Sequence, residues 1–197
     1  ALRTSRVDGL AKVRGLWYWD GAKATSTPSA PLVSDPDNEM PGLAWDLLPM
    51  DRYRSHNWHS FAHIHDRSPY ASIHTTLGCP YKCTFCCINA PFGKSSYRMW
   101  SPRVVVDEIA FLVETYGIKN IKFVDEMFVL NKRHVLEVCD LLIERDLGVN
   151  IWAYARVDTV KEGLLPKLKR AGFNWLAFGI EAASEKVRDG VDKAFSQ

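Results

Sequence analysis

The chain has 197 residues, enough for one domain or one domain with part of another, and Lys+Arg 25 against Asp+Glu 23 leaves a formal charge of +2. That balance gives no electrostatic case for a nucleic-acid or anionic-membrane partner. With 47% apolar and 24% charged residues the chain can bury a core; no apolar run reaches the roughly 18 residues of a spanning helix and no secretory signal opens it, so it reads as soluble and cytoplasmic.

Residues 1 to 70 read as an irregular connector. GLWYWD, residues 15–20, allows a short strand ending at Asp20-Gly21. Prolines at 28, 31, 36 and 41 exclude regular helix or central strand between Thr25 and Gly42. LAWDLLPMDRY, residues 43–53, brings back apolar anchors expected to lie along the surface of a following domain. His56, His59, His63 and His65 form a run, but in an extended or irregular surface segment no geometry gathers them on a metal.

From Ser72 the pattern changes to short apolar runs alternating with helical stretches, the signature of strand-helix units and a parallel sheet. Ser72 to Leu77 reads as the first strand. Ser101-Pro102 gives an N-cap followed by proline at the first helical position, and Val105, Ile109, Leu112, Val113 and Tyr116 form the buried stripe that Gly117 stops. Lys119 to Asp125 is the second strand. Asn131 caps a helix that buries Val135, Val138, Cys139, Leu142 and Ile143 and ends before Gly148. Val149 to Arg156 is a third strand with period-two alternation, Asp158 or Thr159 opens a helix through Leu168, and Asn174 to Glu181 is the fourth strand. Ser184 begins another helix. Parallel strands share one C-terminal rim, and on it fall Cys79, Asp125-Glu126, Arg156 and Glu181. The class is α/β, a partial (β/α) TIM-like barrel behind an irregular N-terminal linker. No GxGxxG or Walker sequence follows any strand.

Of five cysteines, four fall within nine residues, Cys79, Cys83, Cys86 and Cys87. Such clustering opposes a disulfide framework and points to metal ligation or redox chemistry. Thiols at intervals of four and three can wrap one small inorganic object. A cubic iron-sulfur cluster takes one thiolate per iron, so three ligands leave one iron open. A structural zinc site wants four closed ligands, and neither Cys87, His74 nor Cys139 has second-pair spacing for it. A zinc-stabilised binding module is the alternative reading. Cys87 is expected to pack as a small hydrophobe and Cys139 to lie in the core.

Cys79, Cys83 and Cys86, with the aromatic Phe85 just before the third, resemble the signature of the radical S-adenosylmethionine superfamily. The resemblance implies a 4Fe-4S cluster on the three cysteines whose unique iron chelates S-adenosylmethionine, which is cleaved reductively to methionine and a 5'-deoxyadenosyl radical. Phe123-Val-Asp-Glu-Met-Phe128 resembles the family's acidic motif, making Asp125 and Glu126 candidates for the amino group of the methionine moiety. Gly179-Ile180-Glu181-Ala182-Ala183-Ser184 is similar to its Gly-x-Glu-Ser-Gly-Ser segment, of which Gly179 and Glu181 carry over. Arg156 is a candidate partner for a carboxylate. The wider run from Pro49 to Phe128 resembles members that carry an N-terminal cobalamin-binding domain. Residues 1–70 then follow that missing domain, and 71–197 are a radical S-adenosylmethionine core truncated at its C-terminus. For the parent this implies cobalamin, a small organic substrate, a reducing partner such as flavodoxin or ferredoxin, and methyl transfer or ring closure.

Overall fold

The computed structural model describes residues 7–40, 42–60, 65–193 and 195; His63 of the histidine run lies outside them. The chain divides into two compact units, Ala1–Val33 and Ser34–Gln197. In the first, helix α1 (Val7–Leu10) precedes an antiparallel hairpin of β1 (Trp17–Trp19) and β2 (Ala24–Ser26), with Tyr18 opposite Thr25. Asp20 shapes its turn. One carboxylate oxygen accepts from the backbone N–H groups of Ala22 and Lys23 at 2.9 and 3.0 Å, and the other accepts from the Thr25 hydroxyl at 2.8 Å.

The second unit starts at Ser34, and Trp45 and Met50 are buried in its core. The proline-rich stretch also holds one turn of helix, α2 (Pro36–Glu39), which begins on Pro36 itself and is capped by Asp35. Proline costs little at the first helical position, where its missing N–H has no partner to lose.

The rest of the unit follows in the order β3 (Tyr70–Ile73), β4 (Thr76–Leu77), β5 (Arg98–Met99), α3 (Pro102–Tyr116), β6 (Asn120–Phe123), α4 (Lys132–Arg145), β7 (Asn150–Ala155), α5 (Leu165–Arg170), β8 (Phe173–Phe178) and α6 (Glu185–Asp189). Strands β3, β6, β7 and β8 lie in that order in one wholly parallel sheet, an open arc of a β/α barrel. The first expected strand is two strands. β3 joins the parallel sheet, whereas β4 leaves it and pairs antiparallel with β5, an element the sequence pattern did not disclose.

Helix limits follow local chemistry. The Ser101 hydroxyl accepts from the Val104 N–H and Gly117 closes α3 in the left-handed conformation; Asn131 caps α4 through the His134 N–H. The third helix begins late, with a 3-10 turn at Glu162–Leu164 before α5. Asp158 is held by Arg156 and the Thr159 hydroxyl donates to the Arg156 carbonyl, so neither is available to open a helix. The fourth strand stops at Phe178, and Glu181 beyond it has a positive φ of 64°.

The two faces of the sheet differ. Ala71, Ile73, Ile121, Phe123, Ile151, Ala153 and Ala155 are buried in one core cluster with Val106, Ile109 and Leu112 of α3 and Val135, Val138 and Leu142 of α4. The opposite face carries Asn120, Lys122, Asn150, Trp152 and Tyr154, with Trp152 registered against Lys122 and Trp175. β7 keeps the expected alternation, with Ile151, Ala153 and Ala155 buried and Tyr154 exposed on the other face, broken only by the burial of Trp152. At the N-terminal ends, Asn174 Nδ2 donates to Asn150 Oδ1 at 2.7 Å, Asn150 Nδ2 donates to Asn120 Oδ1 at 2.9 Å, and Asn120 Nδ2 donates to the Asp66 carbonyl at 2.7 Å. This amide ladder ties three strands at their starts.

The core centres on Phe123, Phe128 and Phe173, whose ring centroids lie 4.9, 5.3 and 5.0 Å apart. Replacing Phe128 by Ala is expected to cost about 3–5 kcal/mol, a large part of the 5–15 kcal/mol typical of a domain. The check is a lowered urea midpoint with an unchanged slope of unfolding free energy.

Candidate active site

The parallel sheet delivers the ends of β3, β6, β7 and β8 to one rim. At the end of β6, Asp125 is 0% exposed. One of its oxygens accepts the Thr75 backbone N–H at 2.6 Å and the other accepts the Thr75 hydroxyl. The parallel ladder ends with the bond from Val124 N to the Ile73 carbonyl, and the Thr75 carbonyl accepts the Trp100 N–H instead. Thr75 thus leaves the sheet and starts the β4–β5 pair. Glu126, half-buried, accepts the Gly78 N–H at 3.0 Å.

Gly78 has a φ of +82°, and a Cβ there would meet the Ser96 carbonyl oxygen at 2.5 Å. Only glycine fits, for both reasons. The loop that follows carries Cys79 buried, Cys83 half-buried and Cys86 exposed, all as free thiols. The Cys86 N–H donates to the Cys83 carbonyl at 3.0 Å, so those two residues close one turn. Burial pushes the Cys79 thiol up, and the neighbouring Cys86 and Cys83 push it further. The outer part of the loop borders a concave space of about 410 Å³ lined by Tyr81, Cys83, Cys86 and Asn89 among others. Cys87 is exposed rather than packed, and Cys139 lies in the core, where burial holds its thiol up at about 12.

Other rim residues are engaged within the chain. Arg156 is buried, donates to both oxygens of Asp158 and stands over the Tyr81 ring. Glu181 receives a hydrogen bond from Lys193 Nζ at 2.6 Å. Gly179 lies beneath that pair, where a Cβ would meet Lys193 Nζ at 2.9 Å and Glu181 Oε1 at 3.0 Å. Phe85 is 53% exposed, with Lys193 Nζ 5.6 Å from its ring centroid. The C-terminal segment also docks on the loop through the bond from Thr84 N to the Val191 carbonyl. Thr75, Gly78, Tyr81, Asp158 and Lys193 are the participants that sequence reasoning missed. Of these only Asp158, two positions after Arg156, lay close enough in sequence to suggest its pairing.

The Radical SAM superfamily model matches residues 73–195. An uncharacterized methyltransferase of Pyrococcus horikoshii is 33% identical over 96% of this chain and 40% of its own length. The anaerobic magnesium-protoporphyrin IX monomethyl ester cyclase of Rubrivivax gelatinosus is 32% identical over 92% of this chain and 31% of its own length. Among solved structures, the radical S-adenosylmethionine methyltransferase TsrM of Kitasatospora setae, with cobalamin and a [4Fe-4S] cluster bound, aligns at a TM-score of 0.65 and 22% identity, covering 92% of this chain and 36% of that one. The chain thus spans well under half the length of these relatives.

Burial raises the Asp125 carboxyl above its ordinary value, and the hydrogen bonds from Thr75 only partly oppose it. A carboxyl shifted upward contributes its stability fully below its unfolded value of about 3.9 and loses it as pH rises through the folded value. Asp125→Asn is therefore expected to gain stability relative to the native chain between about pH 4 and neutrality. Urea midpoints across that range test this; a gap that stays constant would contradict it.

Proposed function

The chain belongs to the radical S-adenosylmethionine superfamily, and on that footing we propose that Cys79, Cys83 and Cys86 hold three irons of a 4Fe-4S cluster whose fourth iron takes S-adenosylmethionine. The observation that carries the reading is the loop itself, three free thiols within eight residues on the rim of a parallel sheet. The donor chemistry fits, since such a cluster takes thiolates one to an iron, spread around a cube rather than gathered on a point. The family match and the methyltransferase and cyclase relatives support this reading over a zinc module.

When bound, the cluster and S-adenosylmethionine supply reductive cleavage to methionine and a 5'-deoxyadenosyl radical. The protein's part is orientation and exclusion of water. Glu126 is the acid we assign to the cofactor's ammonium group, because it reaches the start of the cysteine loop and keeps some exposure. Asp125 acts behind it by holding the strand end. Gly179 and Glu181 would lie toward the ribose or carboxylate of the bound cofactor, with the Glu181 side chain held by Lys193. Phe85 flanks the cofactor from the loop. Arg156 is already committed to Asp158 and Tyr81, so the expected pairing of Arg156 with a cofactor carboxylate is not assigned.

For the full-length protein we propose cobalamin-dependent methyl transfer or ring closure on a small organic substrate. Cobalamin would be held by a domain outside these residues, and a small reducing protein such as flavodoxin or ferredoxin would supply the electron. The names of the methyltransferase and cyclase relatives support the reaction classes, and the cobalamin in the solved methyltransferase supports the second cofactor. Among the described residues no helix is long and apolar enough to cross a membrane.

Anaerobic reconstitution with iron and sulfide should give a brown protein with about four irons per chain and a cubane-type EPR signal after reduction. S-adenosylmethionine should perturb that signal. Cys83→Ala should abolish it and Cys87→Ala should leave it intact. A colourless protein holding one zinc and no iron would overturn the proposal in favour of the binding module.

A further inference from the structure

Tyr81 stands between Cys79 and Cys83 in the chain, and the structure holds it from two sides. Asn89 Nδ2 donates to its carbonyl at 3.1 Å, and the guanidinium carbon of Arg156 lies 4.1 Å from its ring centroid. Arg156, only 3% exposed at the end of β7, donates through Nε and a terminal nitrogen to the two oxygens of Asp158 at 2.8 and 3.0 Å. That fork fixes the plane of the guanidinium, which a lysine could not match. A cation seated on an aromatic face is attracted by the ring quadrupole, the more so when desolvated.

We propose that Arg156, Asp158 and Tyr81 form a clamp that fixes the cysteine loop and sets the charge felt by the metal group it holds, Arg156 and Asp158 acting as positioning residues. The inference rests on the reading that Cys79, Cys83 and Cys86 carry the cluster. The paired charges nearly cancel, so removing either partner alone changes the local charge by one unit, in opposite directions. Loss of the guanidinium leaves a carboxylate beside the loop and disfavours the added electron; loss of the carboxylate leaves a cation and favours it. A defect of geometry alone would give no such reversal.

The test measures the midpoint potential of the anaerobically reconstituted cluster by EPR-monitored titration, and the rate of iron release to a chelator. Arg156→Gln should lower the potential and Asp158→Asn should raise it. Tyr81→Leu should release iron several-fold faster than the native chain, and Tyr81→Phe, which keeps the ring, should restore the native rate. Potentials unchanged in both charge variants, or shifted in the same direction, would overturn the clamp, as would native release from Tyr81→Leu. If Arg156→Gln fails to fold, Asp158→Asn and the Tyr81 pair still decide. A native chain that takes up no iron would overturn the underlying cluster reading instead, before any variant is compared.

Discussion

Asp125, buried at the end of β6, accepts hydrogen bonds from both the backbone and the hydroxyl of Thr75, and the course of the chain beyond Thr75 follows from that pair. A carboxylate without water must be satisfied by the protein, and the donors within reach belong to the residue that would otherwise continue β3. The backbone N–H given to Asp125 is lost to the parallel ladder, so the strand ends and the chain turns into the short antiparallel pair β4–β5. The cysteine loop is the connection between those two strands. A group on the second parallel strand thereby decides where the loop of the first one begins.

The loop is then fastened at several points, each from a different strand end. Glu126 after β6 holds the Gly78 N–H, Arg156 after β7 holds the Tyr81 ring, and Val191 beyond β8 receives the Thr84 N–H. A metal-binding loop made only of turns would carry the full entropy of its own disorder. Tethers from three strands remove much of that freedom in advance, which is how a rigid scaffold pre-organises ligands carried on an irregular segment. The parallel topology makes this economical, because it brings those strand ends to the same side without further chain.

Legibility in the sequence follows the range of the interactions concerned. Ser101-Pro102, Gly117 and Asn131 were readable as helix ends because a cap is decided within three or four residues. The parallel sheet was readable from the alternation of apolar runs and helical stripes, and the thiol spacing pointed to the family. The break after Ile73 was not readable, since its cause lies fifty residues away in Asp125. Arg156 was readable as a partner for a carboxylate, but the sequence does not show that its fork closes on Asp158 while its face meets a tyrosine from the cysteine loop. The amide ladder sat in plain view as an Asn at the start of each of three strands, yet it carries meaning only once Asn120 and Asn150 are known to be register partners.

The adjacent pair Cys86 and Cys87 poses a choice that exposure does not settle, since both are exposed. Backbone bonding separates them. The Cys86 N–H is tied to the Cys83 carbonyl, which brings the second and third thiol positions into one turn. The Cys87 carbonyl instead accepts the Ala90 N–H and opens the next turn, the one leading into the 3-10 segment Ala90–Phe92. Consecutive residues thus belong to successive turns with different partners. The grouping of Cys83 with Cys86 in one turn follows from main-chain geometry and supports the proposal, made from the family pattern, that Cys86 rather than Cys87 is the third ligand.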